Sequence, residues 1–223
     1  MIYTFWEGEM PEYIKMCLDT WHISHTILKY RDLEDIGIDR DKLKPFTLPQ
    51  IADIVRVHIL RDRGGVWLDA DTILLSKELP TETILGYPEK RINTIGYLRT
   101  EPHSDMFEEW AEYQDKVMDN PQKVTWDIVG NKFTDHYLKE HEEITIGDIT
   151  NRWAETYMIK LDADRYWKYK QFYFKENYKL SDLRSTDILM LHNSWTPEWF
   201  KYASRDKILN TECTLSNIFK EVL

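Results

Sequence analysis

Apolar residues recur along this chain with two different periods. The run IYTF at 2–5 is short, aromatic and β-branched, and it predicts a first buried strand. After Pro11, Ile14, Cys17, Leu18 and Trp21 recur at three- and four-residue steps, which predicts a helix opened by the proline and running to about residue 21. HTILKY at 25–30 reads as a second strand, and Gly37 ends a short helical turn over 33–37. Pro49 opens the next helix, with apolar positions 51, 52, 55, 59 and 60, and Gly64 and Gly65 stop it. VWL at 66–68 and TILL at 72–75 are strand-like, as is INTIGYL at 92–98. Residues 104–118 predict a helix capped by Ser104, and 127–140 a helix that tolerates Gly130. Short strand candidates follow at 144–149, 157–161, 171–174 and 187–192. The chain closes on an amphipathic helix whose stripe of Leu215, Ile218, Phe219, Val222 and Leu223 is expected to pack on the domain. Strands and helices alternate early and short strands cluster late. That order predicts an α/β architecture with helices flanking a mainly parallel sheet. No repeat or linker interrupts the 223 residues, so a single domain over 1–223 is expected.

Two aspartates break the apolar run GGVWLDADTILL at 64–75. In extended backbone, residues two apart point the same way, roughly 6.6 Å apart along the strand. Asp69 and Asp71 can therefore face one point while Ala70 turns away. Such a pair suits a hard divalent cation, at the strand end where open α/β sheets bind ligands. It equally suits a turn or a cap, or supplies a nucleophile. A second copy of the letters, LDADRY at 161–166, reads as a polar turn before a strand. Asp53 and Arg56 lie three apart and share a face of the preceding helix. They form either a buried structural bridge or part of one polar constellation with the aspartates.

The net charge of −10 disfavours nucleic acid as a partner but leaves room for a small anionic ligand neutralised locally by a metal and arginine. Nine tryptophans and thirteen tyrosines could stack on bases and sugars or fill a core. Cys17 and Cys213 are far apart in sequence, which fits a reducing, cytoplasmic compartment. The N-terminal residues do not read as a signal peptide, and no stretch approaches a membrane span.

The segments IYTFWEGEMPEYIKMCLDTW, ADIVRVHILRDRGGVWLDADTILL and LHNSW together resemble the bacterial capsular-polysaccharide glycosyltransferases. They also resemble the related yeast initiating mannosyltransferases and clostridial toxin glucosyltransferases. The likeness is close over 1 to about 80 and looser over 165–200. It implies a GT-A fold, a Rossmann-type sheet with a smaller C-terminal portion. Residues 1–98 would bind the sugar nucleotide, and 99–223 would form the acceptor side. By resemblance, Asp71 would hold a metal directly, and Asp69 would meet the metal shell together with sugar and ribose hydroxyls. Asp53 and Arg56 would hold the sugar hydroxyls. Trp6 would stack on the base, with Phe5 beside it, unless Trp6 simply fills the core. His192 would be a third metal ligand or a diphosphate contact, with Asn193, Ser194 and Trp195 around the phosphates. Mn²⁺ is expected first and Mg²⁺ second, because a shell of carboxylates and imidazole suits Mn²⁺.

The implied reaction moves a hexose from a nucleotide-diphosphate sugar, with UDP favoured, to a glycan or lipid-linked acceptor. Asp127 is a candidate general base or acceptor contact, or else a helix cap. The basic, aromatic stretch 165–179 reads as an edge strand with snorkelling lysines. The same stretch could touch a membrane or a lipid-linked acceptor. Two other readings compete. VWLDADT also matches the haloacid-dehalogenase phosphatase motif, with Asp69 as nucleophile, although that motif normally opens its domain. A non-catalytic sugar- or nucleotide-binding protein is the third.

Overall fold

The run at 2–5 is strand β1 (Ile2–Phe5) in the computed structural model, which describes residues 1–121, 124–148, 164–183 and 187–223. The chain forms two units that interleave in sequence. One comprises Met1–Gly8, Ser24–Asp69 and Pro80–Asp148, and the other Glu9–Ile23, Ala70–Leu79 and Ile149–Leu223.

The first unit is built on a six-stranded sheet. Its strands are β1, β2 (His25–Leu28), β3 (Gly65–Leu68), β5 (Ile84–Tyr87), β6 (Ile92–Thr100) and β7 (Ile146–Asp148). Their spatial order is β2-β1-β3-β6-β5-β7. The pairs β1–β2, β1–β3 and β5–β7 run parallel, and only β6 runs against its neighbours. The mainly parallel α/β sheet expected from the alternation is present. Helices α2 (Leu48–Arg63) and α4 (Asn131–Glu140) pack on it, and α3 (Asp105–Asp119) packs on α2 and α4.

Helix α2 begins with a capping box, in which Thr47 and Gln50 satisfy each other's backbone N–H, and has proline in its first turn. It is buried nearly all round, from Ile54 through Leu60, because it packs against β1, β3, β6 and α3. Gly64 and Gly65 then turn the chain into β3 with φ of +61° and +102°. A Cβ at Gly64 would lie 2.6 Å from the Pro102 ring, and one at Gly65 would lie 2.8 Å from the Met1 carbonyl oxygen. Glycine is thus required twice, by conformation and by space, to deliver the strand that leads into Asp69.

The second unit holds α1 (Glu12–Asp19), a two-stranded antiparallel sheet of β4 (Thr72–Leu74) and β8 (Ile188–Met190), and α5 (Arg165–Phe174). Three further helices complete it: α6 (Glu198–Lys201), α7 (Arg205–Leu209) and α8 (Thr214–Val222). Its interior is aromatic, with Tyr13, Tyr169, Tyr173, Phe200 and Phe219 fully enclosed. Cys17 and Cys213 are buried thiols in this unit.

Several sequence expectations are corrected. The stretch 171–174 is the end of helix α5, and 165–179 is not an edge strand. Tyr169 and Tyr173, one turn apart, bury a helical stripe that overrides the strand preference of aromatic residues. Asp164 therefore precedes a helix rather than a strand. Helix α4 starts at Asn131, and residues 126–130 are turn. Ser104 occupies the N-cap position of α3, but its side chain makes no capping bond. Leu223 is exposed rather than packed. The strand expected at 157–161 lies outside the described residues.

Candidate active site

In the first unit, α2 and β3 bring three predicted residues together. Arg56 is 4% exposed, and its Nη2 lies 2.8 Å from Asp53 Oδ1 and 3.1 Å from Asp69 Oδ1. Nη1 donates to the Ile95 carbonyl on β6, and the guanidinium carbon sits 5.0 Å from the centre of the Trp67 ring. The Trp67 indole N–H donates to Asp69 Oδ1 at 2.9 Å. The Asp69 backbone N–H donates to the Gly96 carbonyl at 3.0 Å, prolonging the β3–β6 ladder by one bond. Asp69 Oδ1 is thus held from two sides, while Oδ2 has no hydrogen-bond partner among the described residues.

Burial is the main reason the Asp53 carboxyl is pushed up to about 6. The Asp69 charge adds to the shift and Arg56 opposes it. The turn before α4 lies against the same carboxylate, since a Cβ on Gly130 would come within 2.9 Å of Asp53 Oδ2. The backbone of this segment therefore reaches Asp53. The Asp127 side chain does not: it is exposed and accepts from the Thr125 hydroxyl at 2.9 Å. No hydrogen bond or ion pair among the described residues joins it to Asp53, Arg56 or Asp69.

Phe5 packs in the core of this unit. Trp6, just beyond β1, is half-buried, with its backbone N–H on the Leu28 carbonyl at 3.1 Å. Its indole N–H is buried with no partner among the described residues. An unsatisfied buried donor at a strand's carboxyl end is a place where a ligand acceptor gains most.

In the second unit, Asp71 precedes β4, and its Oδ2 accepts from the Asn193 backbone N–H at 2.7 Å. The Leu191 N–H donates to the Asp71 carbonyl at 2.9 Å, so the 191–195 segment is fixed to Asp71 at two points. The Tyr13 hydroxyl donates to Asn193 Oδ1, and the His192 backbone N–H donates to the Tyr169 hydroxyl at 3.1 Å. Burial raises the Tyr13 phenol well above its ordinary value and the Asp71 charge raises it further, so it stays a proton donor. Burial likewise raises Tyr169. The His192 ring is tilted against Trp195 at 4.2 Å and Ser194 is exposed. Asn193 is occupied at both its backbone and side chain, so it acts as a clamp on Asp71.

Trp67, Tyr13 and Tyr169 were not anticipated from the sequence. The signal for Trp67 was present, because residues 67 and 69 share one side of a strand. Nothing local announces the two tyrosines, whose partners lie 180 and 23 residues away. Among the described residues there is no group of three or more His, Cys, Asp or Glu side chains that could hold a metal. Asp69 in the first unit and Asp71 in the second are each hard oxygen donors of the kind that Mn²⁺ or Mg²⁺ takes.

A mainly parallel sheet flanked by helices, with a guanidinium-held carboxylate at a strand's carboxyl end, defines an α/β protein. The family model described as "Capsular polysaccharide synthesis protein" matches residues 2–178, most of the chain, which therefore belongs to that family. No curated protein matches the chain. Among solved structures, the PaToxG glycosyltransferase is similar at 14% identity and a TM-score of 0.48, covering 64% of this chain and 68% of that one. The apo form of the glycosyltransferase GlyE from Streptococcus pneumoniae TIGR4 is similar at 12% identity and a TM-score of 0.44, covering 99% of this chain. A second GlyE structure gives 14% and 0.42. The chain spans 59% of the length of the GlyE chains. These structural likenesses assign no residue a role.

Proposed function

We propose that this member of the capsular polysaccharide synthesis family is a glycosyltransferase of GT-A type. It moves a hexose from a sugar nucleotide, with a UDP-sugar favoured, to a glycan or lipid-linked acceptor. The observation that carries the reading is the buried Arg56 holding Asp53 and Asp69 at the carboxyl end of β3, where a bound ligand would meet them. In this reading the whole chain works as one domain. Residues 1–98 serve the donor and 99–223 the acceptor, apart from the 192–195 segment at the donor's phosphates, in the cytoplasm, where buried thiols such as Cys17 and Cys213 persist.

Each residue has a distinct task. Arg56 orients Asp53 and Asp69, and Asp53 accepts from sugar hydroxyls. Trp6 stacks on the base. Asn193, pinned by Tyr13, fixes Asp71. Asp69 and Asp71 would hold a divalent ion, Mn²⁺ or Mg²⁺, with His192 as a further ligand or diphosphate contact. Ser194 and Trp195 flank the phosphates. When bound, such an ion stabilises the charge that develops on the diphosphate leaving group. Asp127, exposed and bonded to Thr125, remains available to an acceptor hydroxyl. The rival phosphatase reading needs Asp71 as a protonated acid. Its Oδ2 is instead engaged as an acceptor by the Asn193 backbone N–H at 2.7 Å.

Incubation with Mn²⁺ and a panel of sugar nucleotides tests the proposal. Slow release of nucleoside diphosphate is expected, and Asp71→Asn should reduce it at least about 10²-fold while the fold is kept. Cleavage of simple phosphomonoesters without nucleoside diphosphate release would replace the transferase reading with the phosphatase one.

A further inference from the structure

We propose that the exposed face of α5 docks the chain onto an anionic phospholipid bilayer. The helix buries Tyr169, Tyr173 and Phe174 against its own unit. On its first turn, however, two large aromatic residues in succession face outward, Tyr166 at 50% and Trp167 at 64% exposure. Single exposed aromatics are ordinary on protein surfaces, but these sit inside a run of cations. Arg165, Lys168, Lys170 and Lys175 fall within eleven residues that contain no acidic side chain, bracketed by Asp164 and Glu176. Lys170 Nζ lies 4.2 Å from the centre of the Tyr166 ring, so charge and aromatic surface are presented together. Partly exposed aromatics continue beyond the helix. Tyr178 stacks on Phe172 at 5.4 Å, and Trp199 meets Phe174 edge-on at 6.2 Å.

This combination matches the chemistry of a headgroup layer. Indole and phenol rings settle where an apolar body meets a wet edge, and lysine and arginine are drawn to anionic headgroups. With a net charge of −10, the chain as a whole is repelled by such a surface. A local cationic face therefore sets the orientation as well as the attraction. The ten-residue helix is too short to span a bilayer, so it would lie on the surface. Aromatic rings also stack on sugars, but a neutral glycan offers no counter-charge to cations such as Arg165, Lys170 and Lys175. The inference does not depend on the transferase reading, because lipid binding is measured without any donor.

The full chain is sedimented with vesicles of phosphatidylcholine alone and with vesicles containing equal parts of phosphatidylserine. Binding is expected only with phosphatidylserine, and raised salt should weaken it. Trp167→Ala and the double variant Lys170→Glu/Lys175→Glu should each lower it by about tenfold or more. Trp126→Ala should leave it unchanged, since that side chain is exposed but lies outside α5. Far-ultraviolet circular dichroism checks that every variant stays folded. Equal binding to both vesicle types, or phosphatidylserine binding unaltered by the α5 variants, overturns the proposal. It is also overturned if the parent chain ignores vesicles but binds a neutral oligosaccharide through Trp167.

Discussion

Truncating Arg56 to alanine is expected to destabilise the first unit severely and in a pH-dependent way. The side chain is 4% exposed, pairs with two carboxylates and donates to the Ile95 carbonyl. Removing one partner from a buried ionic cluster strands the others, at a cost of about 3–5 kcal/mol. For a chain of this size that lowers the melting temperature by about 6–20 °C. The pH dependence comes from Asp53, whose folded carboxyl sits near 6, above its ordinary value of 3.8. A raised folded pKa means that the folded state binds more protons than the unfolded state between those values. Stability from this group is therefore present below about pH 4 and is lost as pH rises through 6, by about 3 kcal/mol. Arg56 lowers that pKa, so its loss pushes the window upward. The variant should be hurt more at pH 8 than at pH 5. Urea unfolding followed by tryptophan fluorescence measures this, since Trp67 lies against the guanidinium. A loss below about 1 kcal/mol, or one equal at the two pH values, would refute the argument.

Two further outcomes are expected. Trp6→Ala should weaken binding of a free nucleoside diphosphate by roughly 1–3 kcal/mol by calorimetry, whatever sugar the donor carries, and unchanged affinity in a folded variant would make Trp6 a packing residue only. His58 is 1% exposed in α2, and burial pushes its ring down to about 4, with Arg61 adding to the shift and Asp115 and Asp62 opposing it. Its folded pKa is depressed, so its own contribution to stability, opposite in sign to that of Asp53, should fall by about 3 kcal/mol as pH drops from about 6.5 to about 4, and a His58→Leu variant whose stability follows pH as the parent's does would contradict this.

The parts of the fold legible in the sequence were those whose cause is local. Pro49, the spacing of apolar residues and the double glycine delimit α2 because capping, period and backbone conformation act within a few residues. The sharing of a helix face by Asp53 and Arg56 follows from the same period. Strand β5 was not anticipated, because Gly86 and the Tyr87-Pro88 step disguise a strand that exists through its pairing with β6 and β7. Helix α5 was misread because alternating tyrosine and lysine mimics a strand, and its real stripe appears only when Tyr169 and Tyr173 find a common interior. The site divides in the same way. The Asp69 and Arg56 neighbourhood was visible in spacing, whereas the Tyr13–Asn193–Asp71 chain of bonds joins residues that only tertiary structure brings together.

The interleaving of the two units has a consequence for synthesis on the ribosome. Every residue of the first unit has been made once Asp148 is added, so its sheet can close while the rest is still awaited. The second unit is different, because its early pieces, Glu9–Ile23 and Ala70–Leu79, are translated long before the stretch beginning at Ile149 that completes it. During that interval α1 can meet β4, but its apolar residues Ile14, Met16, Cys17 and Leu18 still lack α6 and α7, the later helices it packs against. A nascent chain stalled between these points therefore carries a finished half and an apolar helix without its shelter. That is the intermediate a chaperone would have to recognise, and neither unit can be cut out as one continuous gene segment.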